Sequence, residues 1–219
     1  MVIYLRNLIQ LLSNKKNNYI PPKLIFYLCL VYYYGGNVDW DKTLKGTNIV
    51  ISSGKCIERM SSRGDRWQRG DRWQTIVGKT ICTKNGKYEW NLKIISVDES
   101  KTSNGWKIAA GIVRDKYCKG CIESDNSFAY NKEGIGFYGS VGYVIGAHKK
   151  RRDWIKDLPT YKNEGDILKI ILDLDKEILI FVINGKYHQV QTDDKLKIDK
   201  NIKYRLAVSL CPGRKLQLW

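Results

Sequence analysis

Histidine, methionine and proline are scarce in this chain: two, two and four among 219 residues. His148 and His188 stand far apart, and neither has a Ser, Cys or Asp setting that suggests nucleophilic catalysis. Gly-x-Ser-x-Gly does not occur, because Tyr138 occupies the place of its first glycine. Six cysteines (Cys29, Cys56, Cys82, Cys118, Cys121 and Cys211) include one C-x-x-C, at Cys118 and Cys121. A zinc site needs four ligands, usually a second such pair or nearby histidines, so no metal and no cofactor is expected. Scattered thiols suit a reducing compartment, and the lack of any Asn-x-Ser/Thr sequon agrees with it. No apolar run approaches the roughly 20 residues of a membrane-spanning helix. The stretch LIFYLCLVYYY at 24–34 has a basic flank and reads as a strand or short helix packed on the domain. The alternative is an anchor lying on a membrane surface. No acidic residue precedes Asp39, whereas Arg6, Lys15, Lys16 and Lys23 come before it. That shift in composition marks a boundary near Gly35-Gly36, dividing a basic and apolar extension (1–36) from a folded domain (37–219).

What the chain does have is positive charge and alternation. Its 38 basic and 22 acidic residues give a net charge of +16, which favours acidic partners, nucleic acid or anionic lipid. In KYEWNLKI, Tyr88, Trp90, Leu92 and Ile94 alternate with Glu89, Asn91 and Lys93, the period of a strand with one buried face. WKIAAGIV (106–113) is a second apolar run, and its small residues imply close approach by another element. GIGFYGSVGYVIG (134–146) mixes glycine with aromatics and also reads as strand. GDILKIILDLDKEILIFVING (165–185) reads as a buried hairpin turning at Asp175-Lys176-Glu177. Asn184-Gly185 then predicts a tight turn into KYHQVQ. YRLAVSL (204–210) is a buried strand, and one more short strand follows Pro212-Gly213. Short strands, frequent turns and no long helical pattern indicate an all-β antiparallel sandwich or barrel.

Taken in order, these stretches resemble a SPRY (B30.2-like) domain. WDKTLKGTNIVIS (40–52) resembles the family's opening strand with its Trp-Asp pair, and WQTIVGKTICTKNGKYEWNLKI (73–94) its W-x-x-V-x-G and G-x-Y-x-W segments. KIAAGIV (107–113), GIGFYGSVGYVIG and YRLAVSL are similar to three further family strands. The 165–185 hairpin is the most specific match. Asn91 stands where an acid is usual, and the L-D-P motif of complete PRY-SPRY proteins is absent. The resemblance covers about 40–219. It implies a bent antiparallel β-sandwich of concanavalin-like jelly-roll architecture, with no catalytic centre, which recognises peptides or protein surfaces through loops at one edge. In that frame Asp173 is structural.

Three stretches fall among those loops. HKKRRDW (148–154) places four cations beside Trp154, a pattern that suits acidic peptides, phosphate or nuclear import. DKYCKGCIESDNSFAY (115–130) reads as a long loop exposing Tyr117, Phe128 and Tyr130, or as one in which Phe128 and Tyr130 cover the sandwich. RGDRWQRGDRWQ (63–74) is one hexapeptide written twice. Trp73 and Gln74 belong to the family-like segment, so Trp67 and Gln68 are the spare copy. An integrin reading of RGD requires extracellular display, for which nothing argues. Loop lengthening by duplication is favoured, since each doubling of loop length costs only about 0.6 kcal/mol. The expected partner contacts are Arg66, Trp67, Tyr117, Tyr130, Lys150, Arg151 and Trp154. The expected function is a non-catalytic protein-interaction module of the cytoplasm or nucleus. Rival readings are a charge-driven binder of anionic polymers or membranes, and a carbohydrate-binding sandwich.

Overall fold

The structure is a computed structural model. It describes residues 38–60, 73–83, 86–98, 107–123, 126–130, 133–148, 151–155, 157–190 and 198–219. The extension 1–36, with the 24–34 stretch, and the first hexapeptide copy lie outside the described residues. No described helix is long and apolar enough to cross a membrane.

Alternation at period two builds two seven-stranded sheets, and every pairing between named strands is antiparallel. The first sheet runs, in spatial order, β1 (Trp40–Lys45), β4 (Gln74–Gly78), β13 (Tyr204–Leu210), β6 (Ile108–Arg114), β7 (Gly134–Tyr138), β8 (Tyr143–His148) and β9 (Arg151–Ile155). The second runs β12 (Lys186–Val190), β11 (Ile178–Ile183), β10 (Ile167–Asp173), β5 (Lys87–Val97), β14 (Arg214–Leu218), β3 (Cys56–Arg59) and β2 (Ile49–Ser52).

The inward residues of both sheets make one core, including Trp90, Leu92 and Ile94 of β5, Leu168, Ile170 and Leu172 of β10, and Leu206, Val208 and Leu210 of β13. Phe137 and Phe181 meet across it with ring centroids 5.6 Å apart. Removing one such ring costs about 3–5 kcal/mol, because the cavity closes only in part. Trp40 opens the domain fully buried, its indole N–H donating to the Lys55 carbonyl at 2.8 Å. The 165–185 hairpin forms as read, and Asp173 accepts the Lys176 N–H at 3.0 Å to hold its turn. Asn184 (φ 48°) and Gly185 (φ 82°) make the tight turn into β12, both in the left-handed region that a two-residue primed turn demands.

Three expectations are corrected. GIGFYGSVGYVIG is two strands, since β7 and β8 pair with each other around a turn at 139–142. The described part of the basic run is strand and not loop: Arg151–Ile155 is β9, an edge strand on β8, and sheet edges commonly carry charge. The 115–130 segment is not an open loop either. A 3-10 turn (Asp115–Tyr117), the helix α1 (Cys118–Ile122) and a second 3-10 turn (Phe128–Tyr130) pack over the outward face of the first sheet. There they form a second, smaller core with Val77, Ala109, Tyr138 and Ala207. Phe128 is buried within it, as the reading in which it covers the sandwich has it, and not exposed. Its N–H donates to the Ser209 hydroxyl at 3.0 Å, which also meets the Thr75 hydroxyl at 2.7 Å. A β-carbon on Gly136 would lie 2.7 Å from the Ala129 methyl, so only glycine lets the segment sit this close.

Candidate functional site: the two ends of the first sheet

Strand register sorts the connecting segments to two ends. At one, the Gln74 end, β4, β6 and β8 begin while β7 and β13 finish. At the other, the Tyr204 end, those directions reverse.

The Gln74 end carries an aromatic shelf. Tyr138 is buried, with Trp73 edge-on to it at 5.7 Å from one side and Tyr130 edge-on at 5.7 Å from another. Tyr130 is half-buried, and half-buried Leu44 and Val141 pack against the same cluster. Edge-to-face rings of this kind add about 0.5–1.5 kcal/mol beyond their burial. Gln74 locks the neighbouring turn, its side-chain oxygen accepting the Asn48 N–H at 2.7 Å. A β-carbon on Gly46 would stand 2.5 Å from that oxygen, so glycine is what admits the glutamine. The second copy of the duplicated hexapeptide therefore ends in two structural residues, Trp73 and Gln74.

Lys107 also lies at this end, where the charges of Arg214 and Lys162 act on it. Lys107 precedes β6, Arg59 closes β3, Arg214 opens β14, and Lys162 follows the buried Tyr161. Burial and the neighbouring charges of Arg214 and Lys162 make the Lys107 ammonium easier to deprotonate than usual, although Cys211 opposes them.

The Tyr204 end is organised around Arg205. Its Nη1 donates to Asp41 Oδ2 at 2.9 Å and to the Gly78 carbonyl at 3.3 Å, while its Nε donates to Asp115 Oδ1 at 2.5 Å. Burial pushes the Asp41 carboxyl up, but hydrogen bonds from Thr43 and Arg205 outweigh it and hold the group below its ordinary range. Burial alone pushes the Cys82 thiol far up, and burial is the main reason that Cys118 stands at about 12. Both are therefore thiols and not nucleophilic thiolates. Among the described residues no group of three His, Cys, Asp or Glu is placed to hold a metal ion.

The expected contact residues do not share one edge. Tyr117 lies at the Tyr204 end, 38% exposed, with the Lys116 ammonium 4.7 Å from its ring centre. The backbone of Arg151 pairs with His148 at that same end, and Trp154 pairs with Ile145 further along β9. Tyr130 belongs to the Gln74 end. Arg66, Trp67 and Lys150 lie outside the described residues. Reading the sequence missed the Arg205 network, whose members Asp41, Asp115 and Arg205 are far apart in the chain.

No family model matches the sequence, and no curated protein matches it. Solved structures do match. The SPRY domain of human HERC1 aligns at 15% identity over 82% of this chain and 96% of its own, with a TM-score of 0.55. The TRIM65 PSpry domain aligns at 14% identity over 93% of this chain and 99% of its own, with a TM-score of 0.59. Stonustoxin aligns at 16% identity over 85% of this chain but only 27% of its own, with a TM-score of 0.51. The fold is that of SPRY domains.

Proposed function

We propose that this chain is a non-catalytic protein-recognition module whose contact surface is the Gln74 end of its first sheet. The SPRY fold supports the general reading, since domains of this architecture serve as interaction modules. The observation that carries the particular one is the aromatic shelf. Tyr130 presents a half-exposed ring that is held from beneath by Tyr138, so an incoming apolar group buries area with little loss of side-chain freedom. The partner is a protein or peptide, met in a reducing compartment, cytoplasmic or nuclear, where the described free thiols stay reduced.

Affinity capture from the native cell, washed at low and at high salt, tests this. Wild type is compared with Tyr130→Ala at one end and Tyr117→Ala at the other. The expected result is a discrete protein retained at high salt, lost with Tyr130→Ala and kept with Tyr117→Ala. Recovery of only nucleic acid or mixed acidic proteins, all released by salt, would replace this reading with charge-driven binding.

A further inference from the structure

We infer that β12, an edge strand of the second sheet, is a strand-addition site that takes an extended acidic segment of a partner protein. This surface is separate from the Gln74 end, and the inference does not depend on that reading.

The two sheets end in four edge strands, β1, β9, β12 and β2. A sheet edge presents unpaired backbone groups, and proteins blunt it with charge, irregular pairing or short length. Three of the four are blunted in this way. β1 carries Asp41, Lys42 and Lys45, and its register against β4 shifts between Trp40 and Lys45. β9 opens Arg151-Arg152-Asp153. β2 is four residues long, lies against β1 and has its Ile49 carbonyl taken by the Lys45 ammonium at 2.8 Å. β12 reads KYHQV, with no acid, no proline and a single lysine beside its turn. It pairs with β11 in unbroken register, from Lys186 opposite Ile183 to Val190 opposite Leu179. Among the described residues no strand lies on its other side.

The turn fixes which backbone groups face outward. A two-residue primed turn at Asn184-Gly185 closes on a hydrogen-bonded pair, Ile183 with Lys186. Antiparallel pairing then alternates, so Lys186, His188 and Val190 turn their N–H and C=O groups to β11. Tyr187 and Gln189 turn theirs to the free edge. Asn184 obeys the same alternation on the opposite side of β11, where its N–H reaches the Ile167 carbonyl at 2.9 Å. Donors and acceptors thus stand in a row at the spacing of a strand, and another extended backbone is what matches them all.

Side chains set the rest of the chemistry. Tyr187 is 65% exposed on the outward face of the sheet, beside its cross-strand neighbour Val182. Its ring is a platform for an apolar or aromatic side chain of the added strand. On the inward side, opposite Phe181, His188 keeps Nε2 buried with no hydrogen-bond partner. The residue facing His188 on an added strand shares that side at the distance of a cross-strand pair, and a carboxylate, amide or hydroxyl there answers the imidazole. Lys186 is exposed at the edge, and on the outward face Lys87 and Lys169 share one carboxylate, Glu89, each at 2.6 Å. These surroundings attract an acidic segment, whereas a second copy of this chain brings its own net charge of +16 and is repelled.

Selection from a random 12-residue peptide display library on the full chain tests the site. Selected peptides are then measured singly on wild type, on Gln189→Pro and on Tyr130→Ala. Gln189→Pro removes one edge donor and sets a ring where an added strand would lie, yet leaves the hydrogen bonds to β11 in place. Circular dichroism verifies folding, and residue-resolved amide hydrogen exchange on wild type gives a second readout that needs no variant. The expected result is proline-free peptides, alternating in polarity and enriched in Asp and Glu, that bind Gln189→Pro about tenfold or more weakly and Tyr130→Ala unchanged. The same peptides slow exchange at the Tyr187 and Gln189 amides. Failure to select such peptides, undiminished binding to folded Gln189→Pro, or unprotected amides in the complex would each overturn strand addition. If every peptide fails on Tyr130→Ala and none on Gln189→Pro, recognition sits at the Gln74 end alone and the edge is overturned. Protection of the two amides that rises with protein concentration alone would assign the edge to a second copy and overturn the peptide.

Discussion

The two ends of the first sheet treat charge in opposite ways. At the Tyr204 end, Arg205 is enclosed by Asp41, Asp115 and a carbonyl, and each carboxylate answers a cation. At the Gln74 end, Lys107 meets the like charges of Arg214 and Lys162, while Asp166 is occupied by its own turn. One end closes on itself and joins β1, β13 and the start of the covering segment. The other carries the half-exposed Tyr130 ring over buried Tyr138. A sandwich needs one end to be architecture before the other is free to vary.

That contrast is open to experiment, most forcefully at Arg205. Arg205→Ala strands two partly buried carboxylates and is expected to cost about 2–3 kcal/mol, somewhat less than breaking a fully buried pair. Lys107→Met at the other end is expected to stay within about 0.5 kcal/mol. Urea unfolding of both variants measures the difference, and equal losses would erase the distinction between the ends. A smaller effect separates the ends by pH. The Asp41 carboxyl lies below its ordinary 3.8 in the fold, so its contribution is complete above that value and disappears as pH falls through the folded one. Acid unfolding curves should therefore fall more steeply for wild type than for Arg205→Gln. Lys107 behaves conversely. Its charged form is penalised in the fold, so the penalty is present in neutral solution and fades as pH climbs toward the ordinary 10.5. Wild type should then gain stability relative to Lys107→Met in the alkaline range, and a flat difference would mean that neither burial nor the neighbouring cations penalise its charge. The smallest effect belongs to Tyr117→Ala, expected within about 0.5 kcal/mol in stability, with no change in partner capture. A loss of capture would move the contact surface to the Tyr204 end.

The strands were legible where apolar residues alternate or run together between turn signals. β5 lies where its period of two places it, β10, β11 and β13 lie where apolar runs place them, and Asn184-Gly185 turns where its chemistry requires. Turns without such a signature were harder. The 139–142 turn sits between two glycine-rich apolar strands that read as one. HKKRRDW hid β9 because charge reads as loop, although an edge strand carries charge equally well. Phe128 read equally well as exposed or as covering the sandwich, since what decides for burial is Gly136 and Ser209, contributed by other strands. The Arg205 network was invisible for the same reason, because its members meet only after the sheets have formed. Tyr130 was legible as an aromatic in a variable segment, and its shelf was not.

The turn at Asn184-Gly185 also exposes the domain to slow chemical ageing. Asparagine before glycine is the pairing most prone to lose its side-chain ammonia through a cyclic imide. Here the amide nitrogen donates to Asp166 at 3.0 Å, and the amide oxygen accepts the Ile167 N–H at 2.8 Å. Conversion to a carboxylate would set two negative groups face to face where a hydrogen bond now stands. It would also disturb the segment that carries Lys162. Stored protein would thus loosen first at this corner, and paired intact-mass and unfolding measurements over time would show whether the mass change and the stability loss advance together.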